Sequence, residues 1–279
     1  MRRCYNRRAG WLMIRRPVVA GHFYPQTEGA LRKMLDGLIK TGPDKQEVTG
    51  VILPHAGYIY SGLVAGETVS KIEIKKTAVI LGADHTGSGS PFSIMTKGKW
   101  LTPLGEVNID AEIAGSILKS SRLLKDDDRG HINEHSIEVQ LPFLQYFKAD
   151  IKIVPIIMSG SGIEECRELG GDIAEGFKKV GRPAVFIAST DLTHYESRES
   201  AEEKDKLVID SVLSLNEEKL FRVVNESGIS MCGVAPACVL INVCKRLGAK
   251  RAGLVKYQTS GDITGDYSSV VGYAGMVIW

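Results

Sequence analysis

Three histidines follow short apolar segments that are typical of buried strands. His55 comes directly after the string VILP, His85 comes shortly after TAVILG, and His194 comes shortly after VFIAST. In an open parallel sheet, ligands bind in the crevice outside the carboxyl ends of the strands, so we expect these imidazoles to converge. Neutral imidazole nitrogens bind divalent first-row metals, and imidazole also moves protons near neutral pH. The pattern therefore predicts a metal or acid–base site at this edge of a sheet.

Cys232 adds a sulfur atom to this set. It precedes the residues GVAP, which lead into an apolar segment with helical spacing. A helix amino terminus carries partial positive charge, which favours the thiolate form of a nearby cysteine. The set His55, His85 and Cys232 would hold a divalent metal with open positions, and the sulfur favours iron, copper or zinc over magnesium or calcium. Alternatively, Cys232 could act as a nucleophile with His194 as its base. The spacing leaves both open.

Asp191 precedes His194 by three residues. In a tight loop, its carboxylate could bond one imidazole nitrogen and leave the other nitrogen facing the pocket. We therefore predict that His194 is the catalytic acid or base of the site and that Asp191 orients it. The alternative is a hydrogen-bonded turn that only supports the end of the strand.

Three further residues are predicted to line the pocket, namely Tyr58, Asp84 and His135. Asp84 could equally form an Asx turn, and Tyr58 could belong to the core. His135 precedes a segment with helical spacing, which Asn133 could cap.

The elements that must position these residues alternate along the chain. Apolar strings predict strands at residues 48–53, 77–81, 151–158, 184–188, 252–257 and 269–278. Helical spacing predicts helices at residues 28–39, 61–72, 111–118, 136–147, 163–179, 202–213 and 234–247. Continuous apolar strings are typical of strands covered on both faces. We therefore expect a single doubly wound α/β domain with a largely parallel central sheet and helices on both faces. Residues 97–107 are predicted to form a hairpin or an irregular segment between two strand–helix units.

Composition narrows the class of partner. The 279 residues carry 35 Lys and Arg against 33 Asp and Glu, a formal net charge of +2 that gives no electrostatic case for nucleic acid or an anionic membrane. No apolar run approaches the roughly 20 residues that span a bilayer. A small molecule or a peptide is the expected ligand.

The cysteines indicate the redox compartment of the protein, and the first residues indicate where its folded domain begins. Five cysteines form no CxxC pair and are odd in number, which argues against a disulfide framework and favours a reducing cytoplasm. Residues 1–12 carry four arginines without the apolar stretch of a signal peptide, so we predict a disordered extension followed by one domain at 13–279.

Six ordered motifs, spanning nearly the whole chain, resemble the hallmark segments of the Memo family. They are AGHFYP at 20–25, PHAGYIYSG at 54–62, LGADHTG at 81–87, EHSIEVQLPF at 134–143, STDLTHY at 189–195 and MCG at 231–233. Two details differ from the common pattern: residue 140 is Gln in place of a frequent His, and the third motif has one histidine where animal members have an adjacent pair.

The resemblance implies a fold like that of the class III extradiol dioxygenases, which hold non-haem Fe(II) with two histidines and a glutamate. It implies that His55, His85 and Cys232 are the metal-pocket residues, with Asp191 and His194 lining the same cavity and cysteine standing in place of the carboxylate. Iron or copper would then be favoured over zinc. In microbes the family is also called AmmeMemoRadiSam system protein B, which implies AMMECR1-like and radical SAM proteins as partners.

Two hypotheses about function follow. The first is a metal-dependent redox or dioxygenase-like activity on an unknown small molecule. The second is a non-catalytic adaptor that uses the same pocket to hold a ligand or peptide, in line with the signalling function of animal Memo proteins. A cysteine hydrolase is a third option, in which Cys232 would react with alkylating reagents at neutral pH.

Overall fold

The protein is described here by a computed structural model that covers residues 13–40, 42, 45–160 and 162–279. The predicted extension at residues 1–12 lies outside the described residues. In the described part, the strands are β1 (Ile14–Arg15), β2 (Gly50–Leu53), β3 (Thr77–Ala83), β4 (Phe92–Ile94), β5 (Lys99–Thr102), β6 (Gly105–Ile109), β7 (Lys125–Asp126), β8 (Lys152–Met158), β9 (Val185–Ser189), β10 (His194–Glu196), β11 (Ala252–Thr259) and β12 (Val270–Ile278).

The helices alternate with these strands, and a 3-10 turn at Glu138–Gln140 precedes the fifth helix. They are α1 (Glu28–Leu38), α2 (Tyr58–Ser70), α3 (Ala111–Ser120), α4 (Arg129–Ile132), α5 (Leu141–Phe147), α6 (Ile163–Val180), α7 (Arg198–Leu213), α8 (Glu217–Glu226), α9 (Val234–Arg246) and α10 (Gly261–Thr264). No helix in the described ranges is both long and apolar enough to cross a membrane.

Within the described residues, twelve strands form one sheet. Its centre has the order β6-β8-β3-β9-β2, and every neighbouring pair in that run is parallel. Antiparallel strands flank this centre, with β5 beside β6 on one side and β12 followed by β11 beside β2 on the other. The predicted α/β class with a largely parallel central sheet is confirmed. The antiparallel strands at both margins of the sheet were not part of that prediction.

Helices cover both faces of the sheet, which explains the continuous apolar strings. A Cβ atom at Gly50 would lie 2.4 Å from Sγ of Cys244 in α9, so this face of β2 contacts α9 directly. Gly50 pairs with Ile278, and Gly275 lies three residues from Ile278 and therefore on the opposite face. There, a Cβ atom at Gly275 would lie 1.8 Å from Oγ1 of Thr68 in α2. The paired strands β2 and β12 are thus covered on both faces, and every residue of β2 and β3 is buried.

The predicted helix at 136–147 is wrong at its start. The chain turns at 136–137, continues as the 3-10 turn Glu138–Gln140 and becomes α-helical only at Leu141. Pro142 has no N–H to donate to the carbonyl of Glu138, so an α-helical bond cannot form there. Asn133 ends α4 and does not cap the following helix. The predicted hairpin at 97–107 is confirmed by the pairing of β5 with β6.

Candidate metal centre

Three imidazole rings converge at the carboxyl edge of the sheet. His55 follows β2, His85 follows β3, and His135 lies between α4 and the 3-10 turn. One nitrogen of each ring offers a ligand atom, and these three atoms lie within 4.8 Å of one another. The ring centroids are 5.0 Å apart for His55 and His85, 5.3 Å for His55 and His135, and 4.6 Å for His85 and His135. Such a group could hold one first-row metal ion.

The order of the strands explains this convergence. β2 and β3 both pair with β9 in parallel, one on each side, so the loops that follow all three strands leave the sheet at the same edge. His55 and His85 therefore flank the loop that begins after Ser189 and carries Asp191. This is the arrangement expected when ligands bind outside the carboxyl ends of parallel strands.

His55 and Cys232 are in direct contact. The Nε2 atom of His55 lies 3.1 Å from Sγ of Cys232. The same sulfur accepts a hydrogen bond from the backbone N–H of Asp191 at 3.3 Å. Asp191 also accepts the backbone N–H of His55 on Oδ1 at 2.8 Å, so it holds both partners of the pair. In the alternative in which Cys232 acts as a nucleophile, its neighbouring imidazole is therefore His55, whereas the sequence suggested His194.

Cys232 reaches this position because Gly233 has no side chain. A Cβ atom at Gly233 would lie 2.4 Å from Cβ of Thr190, which is closer than any ordinary contact. The backbone N–H of Gly233 also donates to Oγ1 of Thr190 at 2.8 Å. Glycine thus allows the loop before α9 to approach the loop after β9, and this close approach brings the sulfur beside His55.

His85 is oriented by the buried carboxylate of Glu134. Its Nδ1 lies 3.0 Å from Oε1 of Glu134, and its backbone N–H donates to Oε2 at 2.6 Å. Ser136 donates a further backbone N–H to the same carboxylate at 2.7 Å. A carboxylate accepts only, so Nδ1 of His85 carries a hydrogen and Nε2 is left for the pocket. This is the carboxylate–histidine arrangement that commonly orients metal ligands.

Burial and partners shift the pKa values of this pair in opposite directions. Burial alone would raise the pKa of Glu134. Its hydrogen bonds and its charge interaction with His85 outweigh burial and lower the pKa to about 2. Burial alone would lower the pKa of His85, but hydrogen bonds with Cys232 and Glu134 raise it to about 9. A metal must therefore displace a proton from His85 at neutral pH.

His135 is the third imidazole of the group, although its sequence position indicated only a pocket wall. Burial lowers the pKa of His135 to about 4, so its ring is neutral at physiological pH. Phe23 packs against this ring edge-on, with centroids 5.0 Å apart. A neutral, packed imidazole is ready to bind a metal without losing a proton.

A buried ion pair anchors the loop that carries Glu134 and His135. The guanidinium of Arg15 pairs with the carboxylate of Glu138 and donates to the carbonyl of Glu134 at 2.6 Å. Glu138 also accepts the hydroxyl of Tyr24 at 2.6 Å and the backbone N–H of Val18 at 2.9 Å. Because every charge here has several partners, this pair ties the first strand and the AGHFYP motif to the site.

Comparison with known proteins shows the family to which the chain belongs. The family described as Memo-like protein matches residues 15–277. The chain belongs to the Memo family. A MEMO1 family protein of Methanopyrus kandleri is 43% identical over 279 residues, covering 95% of this chain and 99% of that protein. A MEMO1 family protein of Methanococcus maripaludis strain C5 is 45% identical over 284 residues, covering 95% of this chain and 100% of its own length.

A solved structure shares the fold of this Memo chain. It is the crystal structure of an uncharacterized protein, JW3007, from Escherichia coli K12, with a TM-score of 0.54 and 11% sequence identity. The match covers 82% of this chain and 99% of the Escherichia coli chain. At this identity the likeness concerns the fold alone, and it agrees with the α/β architecture that the sequence motifs implied.

The predicted hydrogen bond between Asp191 and His194 is wrong. Asp191 is turned toward His55, as described above, and Nδ1 of His194 is buried without a partner among the described residues. The backbone N–H of His194 donates to Oγ of Ser230 at 2.7 Å. The reason is that His194 belongs to β10 and pairs with Val271 of β12, so the sheet, and not a tight turn at Asp191, sets its backbone. A function for His194 in catalysis stays a prediction.

Tyr58 and Asp84 stabilise the segments that carry the histidines. Tyr58 is buried and donates its hydroxyl to the carbonyl of Val139 at 2.6 Å, so it belongs to the core beneath the pocket in this Memo chain. The Oδ1 atom of Asp84 accepts the backbone N–H groups of Thr86 and Gly87, each at 2.9 Å. This is the Asx turn that the sequence left open as an alternative, and it shapes the loop carrying His85.

The residues that sequence reasoning missed are buried supporting side chains, namely Arg15, Glu134, Glu138, Gln140 and Ser189. All but Arg15 lie inside motifs that carry the family resemblance, which was the available signal. Their function could not be assigned from type alone, because a buried charge or amide becomes meaningful only when its partners are known.

Proposed function

We propose that this Memo protein binds a divalent first-row metal through His55, His85 and His135, with Cys232 as a neighbouring or fourth donor. The observation that carries the proposal is the group of three imidazoles whose ligand atoms lie within 4.8 Å. The donor set suits a metal: His135 is held neutral by burial, and His85 is backed by a buried carboxylate. The sulfur beside His55 favours iron or copper over magnesium or calcium.

A bound iron or copper ion would supply redox and Lewis-acid chemistry to a small molecule in the pocket. The side chains of this chain would do the rest. Glu134 keeps Nδ1 of His85 protonated and offsets positive charge in the centre. Asp191 holds the backbone of His55 and the sulfur of Cys232 at a fixed separation. We infer a dioxygenase-like or other oxidoreductase activity as the leading function.

The test is metal content after purification without oxygen. The wild-type protein should contain close to one iron or copper ion per chain, and His55→Ala and His135→Ala should each lose most of it. His22→Ala is the control, because His22 is exposed on a turn. A wild-type protein with no affinity for added Fe²⁺ or Cu⁺, or equal metal in His135→Ala and wild type, would contradict the proposal.

A non-catalytic adaptor is the second candidate, and exposed apolar side chains favour it. Ile59, in the first turn of the helix that follows His55, is 58% exposed, and Tyr195, next to His194, is 79% exposed. Exposed apolar and aromatic side chains often mark surfaces that bind other proteins or peptides. An adaptor would bind its peptide equally well with and without metal, whereas an oxidoreductase would need the metal for turnover.

A further inference from the structure

A closed set of hydrogen bonds lies behind His55. The Oγ atom of Ser189 is within 3.0 Å of Nδ1 of His55, within 2.8 Å of Nε2 of Gln140 and within 2.6 Å of the carbonyl oxygen of Ser136. Gln140 also reaches the carbonyl oxygen of Pro54 at 2.9 Å. Ser189 and Gln140 are both fully buried. Because each group in this set has a known number of hydrogens and lone pairs, the donor and the acceptor of each hydrogen bond follow.

The orientation of Gln140 is fixed first. A carbonyl oxygen only accepts hydrogen bonds, so the atom facing Pro54 must be the amide nitrogen. The second hydrogen on that nitrogen then points to Oγ of Ser189. The remaining Oε1 atom of Gln140 is buried and has no partner among the described residues. Turning the amide round would place two oxygens against each other at Pro54, so the unpaired Oε1 is the smaller cost.

The hydroxyl of Ser189 is fixed next. Its single hydrogen is directed at the carbonyl oxygen of Ser136, which can only accept. One lone pair accepts from Gln140. The contact with His55 must therefore be a hydrogen bond from Nδ1–H of His55 to Oγ of Ser189. Nε2 of His55 is left with its lone pair on the side of Cys232.

We propose that Ser189, with its hydroxyl directed by Gln140 and the Ser136 carbonyl, is a positioning residue that holds His55 in the tautomer with a free Nε2. The carboxylate of Glu134 likewise holds a hydrogen on Nδ1 of His85. The two imidazoles are thus oriented by different groups: an anionic carboxylate holds His85, and a neutral hydroxyl holds His55. The tautomer assignment stands on the hydrogen bonds alone, and its benefit for metal binding rests on the proposed function.

Ser189→Ala removes the acceptor and leaves Nδ1–H of His55 buried without a partner. The imidazole should then move its hydrogen to Nε2, where Cys232 lies, and the lone pair that would bind a metal is lost. Loss of a residue that orients a metal ligand typically lowers metal affinity by about 10–100-fold. Ser189→Thr keeps the hydroxyl and should restore the wild-type tautomer. Ser211→Ala is the matched control, because Ser211 is equally buried and its hydroxyl serves only the carbonyl of Leu207 in α7.

The experiment has two readings on the same samples. Long-range ¹H–¹⁵N spectra of metal-free, histidine-labelled protein at mildly alkaline pH report the tautomer of His55, assigned with His55→Ala. Titration with Co²⁺ reports the affinity. We expect hydrogen on Nδ1 in wild type and Ser211→Ala, and hydrogen on Nε2 with a 10–100-fold weaker Co²⁺ affinity in Ser189→Ala.

Hydrogen on Nε2 of His55 in the wild-type protein would overturn the proposal even if Ser189→Ala fails to fold. An unchanged tautomer in a folded Ser189→Ala protein would overturn it as well. If the tautomers are as expected but Co²⁺ does not bind the wild-type protein, the proposed metal function fails while the assignment to Ser189 stands.

Discussion

Asp191 accepts the backbone N–H of His55 on Oδ1 at 2.8 Å, so a residue that follows β9 fixes a proposed ligand that follows β2. The two positions are 136 residues apart in sequence. The same residue donates its own backbone N–H to Cys232, which links three segments of chain at one point. This relationship makes Asp191 a structural residue of the candidate metal centre whatever reaction occurs there.

Asp191→Ala should therefore destabilise the protein and weaken metal binding together. The buried N–H of His55 would lose its acceptor, which typically costs about 1–3 kcal/mol of unfolding free energy. Asp191→Asn keeps an acceptor oxygen and is the control, with a much smaller loss. Urea unfolding and Co²⁺ titration of both variants check this. Equal stability of Asp191→Ala and wild type would contradict it.

The stability of the metal-free protein should fall as the pH rises from about 6.5 to about 9. The pKa of His85 is raised from 6.5 to about 9 in the folded protein by hydrogen bonds with Cys232 and Glu134, which outweigh burial. A group with a raised folded pKa contributes stability that is fully present below the unfolded pKa and is lost as the pH passes through the folded value. Denaturant midpoints measured across this range, with His85→Gln as the reference, test the sign.

Metal affinity should show the opposite dependence on pH. Below about pH 9, binding must remove a proton from His85, so the apparent affinity for Co²⁺ rises with pH and levels off above the pKa. Glu134→Gln removes the buried anion that helps to raise this pKa, so its affinity should level off at a lower pH. An identical pH profile for the variant would show that Glu134 does not act on His85.

Tyr195→Gly should raise stability. Tyr195 has a φ angle of 60°, which favours glycine, and its side chain is 79% exposed, so little apolar burial is lost. Relief of the left-handed conformation is worth roughly 1–2 kcal/mol, less about 0.5–1 kcal/mol for the flexibility of glycine in the unfolded chain. The control is Ile59→Gly, another exposed side chain but in an ordinary helix, where glycine should destabilise by about 1 kcal/mol. Urea unfolding distinguishes the two.

His194→Gln should leave metal stoichiometry and the tautomer of His55 unchanged. Within the described part of the chain, no ring contact or hydrogen bond joins His194 to His55, His85 or His135; its ring packs against Tyr195. If His194 moves a proton during turnover, the variant should lose about 10²–10⁴-fold in rate at full metal occupancy. Loss of the metal in His194→Gln would instead place this imidazole among the ligands.

The sequence alone determined the class of fold and part of the site. Continuous apolar strings predicted strands buried on both faces, and all six predicted strands match the observed bounds within two residues, as β8 shows at Lys152–Met158. The rule that ligands bind beyond the carboxyl ends of parallel strands placed His55 and His85 together. These inferences succeed because the apolar pattern of a short segment reveals its burial, and the order of residues along it shows which end of the strand is the carboxyl end.

Only the tertiary structure decided which side chains support those histidines. The order β3-β9-β2 is not written in any one segment, and it is this order that places the loop after β9, which carries Asp191, between the loops that carry His55 and His85. His135 joins the group because the loop that carries it is held by the buried Arg15–Glu138 pair, formed across 123 residues. The carboxylate of Asp191 turns toward His55, not toward the nearby His194, because strand pairing with β12 directs the chain after it. A hydrogen bond depends on the direction of two groups in space, and sequence distance does not give that direction.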